Sequence, residues 1–70
     1  MNSAARDEQY GLKTGDYVRS RGNALGRVVG WQGRDLVQVL ILEQGRSALT
    51  VGMITLFTPD SLSLVERVDS

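Results

Sequence analysis

Cysteine and histidine are both missing from this 70-residue chain, and proline, tryptophan and phenylalanine occur once each. Without cysteine there are no disulfides, no thiol catalysis and no thiolate metal site. Without histidine the chain lacks the commonest zinc ligand and the one side chain whose unshifted pKa lies near neutrality, so histidine-dependent triads are excluded as well. No apolar run approaches the ~18 residues of a membrane span, and residues 1–9 are polar rather than signal-like. These absences describe a cytoplasmic protein with neither a membrane nor a metal among its partners.

What is present is 41% hydrophobic and 23% charged, with eight basic and eight acidic side chains. That suffices for one small domain with one core. A chain of this size buries only about 60% of the surface it exposes when unfolded, so it is marginal unless something reinforces it. Residues 1–13 carry no sustained apolar period and read as a flexible N-terminal arm; residues 14–70 read as a single domain. From Lys13 onward, short β-branched runs alternate with glycine-containing punctuation, the signature of a compact all-β domain.

Five strands are expected. The first covers residues 16–19, entered through the turn Lys13-Thr14-Gly15. The second covers residues 25–32 and is joined to a third, 36–42, by the tight connection Gly33-Arg34-Asp35, where glycine supplies positive φ. After the turn Glu43-Gln44-Gly45-Arg46, a long fourth strand is expected over 48–57, bent or bulged at Gly52. Thr58-Pro59-Asp60-Ser61 cannot continue a ladder, because proline lacks the donor, and reads as one helical turn before a closing strand over 62–68. Five short strands with glycine corners and a helical turn before the last describe a Src-homology-3-like barrel. A sandwich would need about seven strands, and an oligonucleotide-binding fold has no space for its helix at 43–47.

The apolar pattern exceeds what one interior can hold. Along the third strand Val37, Val39 and Ile41 point one way and Leu36, Leu40 and Leu42 the other. Leu49, Val51 and Met53 likewise oppose Ile54 and Leu56. Either curvature lets both rows share one core at bulged corners, or the second row meets a terminal arm, another subunit or a partner. Burying three extra aliphatic side chains per subunit supplies roughly 4–9 kcal/mol before association costs, which favours a homo-oligomer, dimer or tetramer.

Gly15-Asp16-Tyr17-Val18-Arg19, followed by Gly26-Arg27-Val28-Val29-Gly30-Trp31, resembles type II dihydrofolate reductase, the plasmid- and integron-borne trimethoprim-resistance enzyme. That family has a Gly-Asp-x-Val-Arg strand, then Gly-x-x-Val-Gly-Trp, then a Val-Gln-Ile-Tyr strand before a short turn and a closing strand. The resemblance spans residues 15–65 with gaps. It implies a Src-homology-3-like barrel forming a tetramer around a central pore in which NADPH and folate meet, with Ile54, Thr55, Leu56 and Phe57 as pore or interface residues. Thr55 lacks the paired donor and acceptor of the family's glutamine, Phe57 lacks the tyrosine hydroxyl, and Ser20 stands at the family's pore lysine. These departures point to a chain without a catalytic residue and without a cofactor; a divergent reductase using NADPH is the competing reading. Gly15-Asp16-Tyr17-Val18 with Gly26-Arg27-Val28-Val29 more distantly resembles KOW-type barrels of transcription and translation proteins.

Charge is segregated. Lys13, Arg19, Arg21, Arg27 and Arg34 face only Asp16 and Asp35 within 13–35, a net of +3, and the remainder carries −3. With Tyr10, Tyr17 and Trp31 nearby, this segment suits phosphates and base stacking. A pI near 6.1 instead favours a solvated face with alternating arginines. Arg19, Arg21, Arg27, Trp31 and Arg34 are the partner-binding candidates, with a protein or a nucleic acid as partner; Trp31 suits an interface anchor or ordinary core packing equally. The preferred function is a non-catalytic module that self-associates and binds such a partner. A mobile-element or phage protein that inhibits a host machine is a third reading that no motif indicates.

Overall fold

The structure, a computed structural model, describes residues 8–9 and 11–66. It is all-β, with a five-stranded antiparallel sheet, a separate two-stranded ladder and a lone 3₁₀ turn. The small ladder pairs β1 (Glu8–Gln9) with β2 (Leu12–Lys13). The large sheet contains β3 (Tyr17–Ser20), β4 (Leu25–Gln32), β5 (Leu36–Glu43), β6 (Ile54–Phe57) and β7 (Leu62–Glu66), in the order β6-β5-β4-β3-β7. The turn Pro59–Ser61 precedes β7, as the proline implies.

Two expectations need correction. Leu12, assigned to the arm, is only 4% exposed and belongs to the core, so the fold begins before residue 14. Residues 1–7 and Tyr10, like residues 67–70 at the end of the expected closing strand, lie outside the described residues. The long fourth strand over 48–57 is the second correction, because its ladder starts only at Ile54. The bulge expected at Gly52 is present: Gly52 adopts φ +92°, its N–H donates to the Ile41 carbonyl at 2.8 Å and the Ile41 N–H donates to the Met53 carbonyl at 2.9 Å, while the Met53 N–H turns back to the Thr50 carbonyl at 3.2 Å and residues 48–51 stay out of the ladder. Val51 and Met53 are therefore exposed, while Leu49 packs against the core.

The sheet is forced to curl. β6 and β7 are its opposite edges, yet four residues, Thr58 to Ser61, join them. Four inter-strand spacings in a flat sheet measure roughly 19 Å. The link reaches less than ~18 Å even when fully extended, and a 3₁₀ turn rises only about 2 Å per residue. Bulges aid the bend. The register slips by one residue at Val29 on β4, at Leu42 on β5 and at Val65 on β7.

The concave face holds Val18, Val28, Val37, Val39 and Ile41, each at most 1% exposed, and Trp31, Leu49, Phe57 and Leu62 surround them. Gly26 sits directly opposite Ile41. A Cβ there would strike the Val39 side chain and come within 2.9 Å of the Leu40 carbonyl oxygen, so only glycine lets β4 and β5 approach this closely. The Gly15-Asp16 pair is structural too. Asp16 is 1% exposed, and its Oδ2 accepts the Lys13 N–H at 2.8 Å. The Gly15 N–H donates to the Val28 carbonyl at 2.7 Å and the Val28 N–H to the Asp16 carbonyl at 2.9 Å, which locks this turn onto β4.

Two stability outcomes follow, both readable from urea unfolding followed by the fluorescence of Trp31. Gly26→Ala lowers stability by about 1–3 kcal/mol through overpacking. Asp16→Ala costs about 1–3 kcal/mol because it strips a buried donor of its acceptor, whereas Asp16→Asn, which keeps an acceptor oxygen, recovers most of that loss.

Candidate interaction surfaces

The convex face grades from cationic to apolar. One cross-strand row runs Tyr17, Arg27, Leu40, Ile54 over β3, β4, β5 and β6, and a neighbouring row runs Gly30, Gln38, Leu56. Ile54 and Leu56 remain 56% and 41% exposed, and Val51 and Met53, just before β6, are 56% and 55% exposed. Leu36, Leu40 and Leu42 are half-buried on this face rather than fully covered. Of the second apolar row, Ile54 and Leu56 stay in water while the three leucines are partly covered.

Of the four pore candidates, Ile54 and Leu56 project from the convex face. Thr55 and Phe57 alternate to the other side, where Thr55 lies opposite Val39 and Phe57 packs against the core opposite Val37. The Gln38 amide is the polar group next to this patch, its Nε2 donating to Gln32 Oε1 at 3.4 Å.

The structure separates the basic candidates. Arg27 lies over the ring of Tyr17, its Cζ 5.6 Å from the centroid, and its Nε donates to the Gly15 carbonyl at 3.3 Å. Arg19 donates from Nη1 to the Asn23 carbonyl at 3.1 Å. Arg21 is exposed on the loop between β3 and β4. Arg34 sits on the β4–β5 turn at the other end of β4, roughly 25 Å along an eight-residue strand. One basic residue escaped the sequence reading: the Arg46 N–H donates to the Gly22 carbonyl at 2.8 Å, which sets Arg46 beside the loop that carries Arg21. Gly45 fits tightly against Asn23 at the same junction, but no local sequence signal links these two loops.

Trp31 faces the core because of the Val29 bulge. Strict alternation would put Val28 and Trp31 on opposite faces; one extra residue returns Trp31 to the concave side, opposite Val37. Its Nε1–H is buried without an acceptor among the described residues. The interior itself, lined by Val18, Gly26, Val39, Ile41, Phe57 and Leu62 among others, has no room for a water molecule. The open depression between the β4–β5 turn and the 3₁₀ turn is lined by Asp35, Thr58, Pro59 and Asp60, and its two carboxylates would repel an anionic cofactor. Among the described residues no cluster of three or more acidic side chains is arranged to hold a metal ion, and no helix is long and apolar enough to cross a membrane.

No protein-family model, curated protein or solved structure matches this chain.

The orphaned indole donor sets an order among Trp31 variants. Trp31→Phe removes a desolvated N–H that has no partner and is expected to cost under about 1.5 kcal/mol. Trp31→Ala forfeits the ring's packing and costs roughly 3 kcal/mol. Thermal unfolding followed by far-ultraviolet circular dichroism measures both.

Proposed function

We propose that this chain is a non-catalytic Src-homology-3-like barrel of the cytoplasm that self-associates, as a dimer or tetramer, and serves as a binding module. Copies join along β6, whose exposed side chains form the apolar stripe. An anionic partner, a protein or a nucleic acid, is met by the arginine-bearing end formed by Arg19, Arg21, Arg27 and Arg46. The barrel reading is supported by the short link between opposite sheet edges, which draws β6 and β7 toward one another.

The observation that carries self-association is the uncovered apolar patch of Val51, Met53, Ile54 and Leu56, four large side chains more than two-fifths exposed. At about 400 Å² it has the size of a patch that marks an interaction site on a small protein. The basic end is supported by the way the loops around Arg21 and Arg46 are bound together, so their charges add at one place. The competing reductase reading needs Ile54, Thr55, Leu56 and Phe57 to line one pore, and consumption of NADPH with dihydrofolate would reinstate it.

Light scattering at micromolar concentration is expected to give a mass at least twice that of one chain. The double substitution Ile54→Lys/Leu56→Lys should return it to a single chain with an unchanged circular dichroism spectrum, since both side chains already face water. A wild-type monomer overturns the self-association reading. For the basic end, replacing Arg19, Arg21 and Arg46 by alanine together should weaken binding of a single-stranded oligonucleotide or an acidic peptide at least tenfold in low salt. No loss in either arm overturns that part.

A further inference from the structure

The hydrogen-bond parity of β6 points to how copies meet. Just before the strand, the Ile41 N–H donates to the Met53 carbonyl at 2.9 Å, and the Ile41 carbonyl accepts the Gly52 N–H at 2.8 Å. Ile41 and Met53 therefore form a hydrogen-bonded position of the β5–β6 pair. Opposite residues in an antiparallel ladder alternate between hydrogen-bonded and non-hydrogen-bonded pairs. Leu40 and Ile54 are then non-hydrogen-bonded, Val39 and Thr55 hydrogen-bonded, and Gln38 and Leu56 non-hydrogen-bonded. The backbone groups of Ile54 and Leu56 consequently point away from β5, toward the open side of the sheet. Among the described residues β6 has no second neighbour there.

The two residues that offer unpaired backbone groups are thus the two whose side chains form the exposed stripe. They are spaced two apart around Thr55. We infer that β6 of one chain pairs antiparallel with β6 of a second copy about a two-fold axis through Thr55. In that register Ile54 of each chain lies opposite Leu56 of the other, and four backbone hydrogen bonds form at once. The Ile54 and Leu56 side chains become cross-strand neighbours on the convex face, where such aliphatic pairs stabilise a sheet, and the stripe continues onto Leu40.

A second copy is the fitting occupant for reasons of charge and edge chemistry. A two-fold axis sets each residue beside its own image, which penalises charged strands, and Ile54–Phe57 carries no charge. The edge also lacks the lysine, proline or internal bulge by which single-chain proteins guard such strands. This inference rests on the self-association reading and specifies its geometry.

Because the chain has no cysteine, single substitutions give an unambiguous cross-linking test. Across the axis the two Thr55 residues form a non-hydrogen-bonded pair, with Cα atoms about 4.5 Å apart, within the range a disulfide spans. Mild oxidation of dilute Thr55→Cys protein is expected to give a covalent dimer in high yield. The Ile54→Cys/Leu56→Cys variant, whose substituted side chains already face solvent, should cross-link as well. Val29→Cys, exposed on the bulge of β4, should stay monomeric on a denaturing gel. If wild-type protein associates by light scattering but neither β6 variant cross-links while keeping its circular dichroism spectrum, the β6 pairing is wrong and self-association survives by another face. A wild-type monomer removes both readings together.

Discussion

A four-residue link between the two outermost strands of one sheet is the constraint on which the rest depends. β6 and β7 lie at opposite edges, and the chain passes from one to the other through a single 3₁₀ turn. Only a strongly coiled sheet permits this. Coiling demands close approach where strands cross, hence Gly26 against Val39 and Leu40. It also requires local changes of direction, met by one extra residue at each of Val29, Leu42 and Val65. The concave side then fills with β-branched residues, whose stiff, compact side chains suit a narrow interior.

The same coil leaves a convex side that the described residues do not cover. That side divides by strand: cationic and aromatic on β3 and β4, aliphatic on β5 and β6. The row Tyr17, Arg27, Leu40, Ile54 crosses from one character to the other within four residues. Cationic and aliphatic character thus fall on different side chains of one sheet. The interior that this coil encloses has no water-sized space.

Much of the sheet was legible in the sequence because its central hairpin is local. β4 matches the expected 25–32, and β5 begins at Leu36 as read, since alternation and Gly33-Arg34-Asp35 specify both over a short stretch. The helical turn at Pro59 followed from one missing N–H. The bulge at Gly52 was read correctly, but residues 48–51 misled because apolar alternation does not disclose where the ladder begins. Leu12 misled for the opposite reason, being a lone apolar residue in polar surroundings whose burial depends on the distant core it joins. At the surfaces, the spare apolar row was readable as a surplus. The orientation of Trp31 was not, because it depends on a bulge, nor was the place of Arg46, because a contact with Gly22 joins two loops far apart in the chain.

The ladder between β3 and β7 ties the earliest strand of the large sheet to the latest. During synthesis β3, β4 and β5 can zip together in order as they emerge, but β3 keeps a bare flank until Leu62–Glu66 has also left the ribosome. A message or polypeptide cut short within the last strand would lose more than a few residues. It would leave a nascent ribbon unable to hold its curl, with a sticky border at each side for quality-control proteases and chaperones to find.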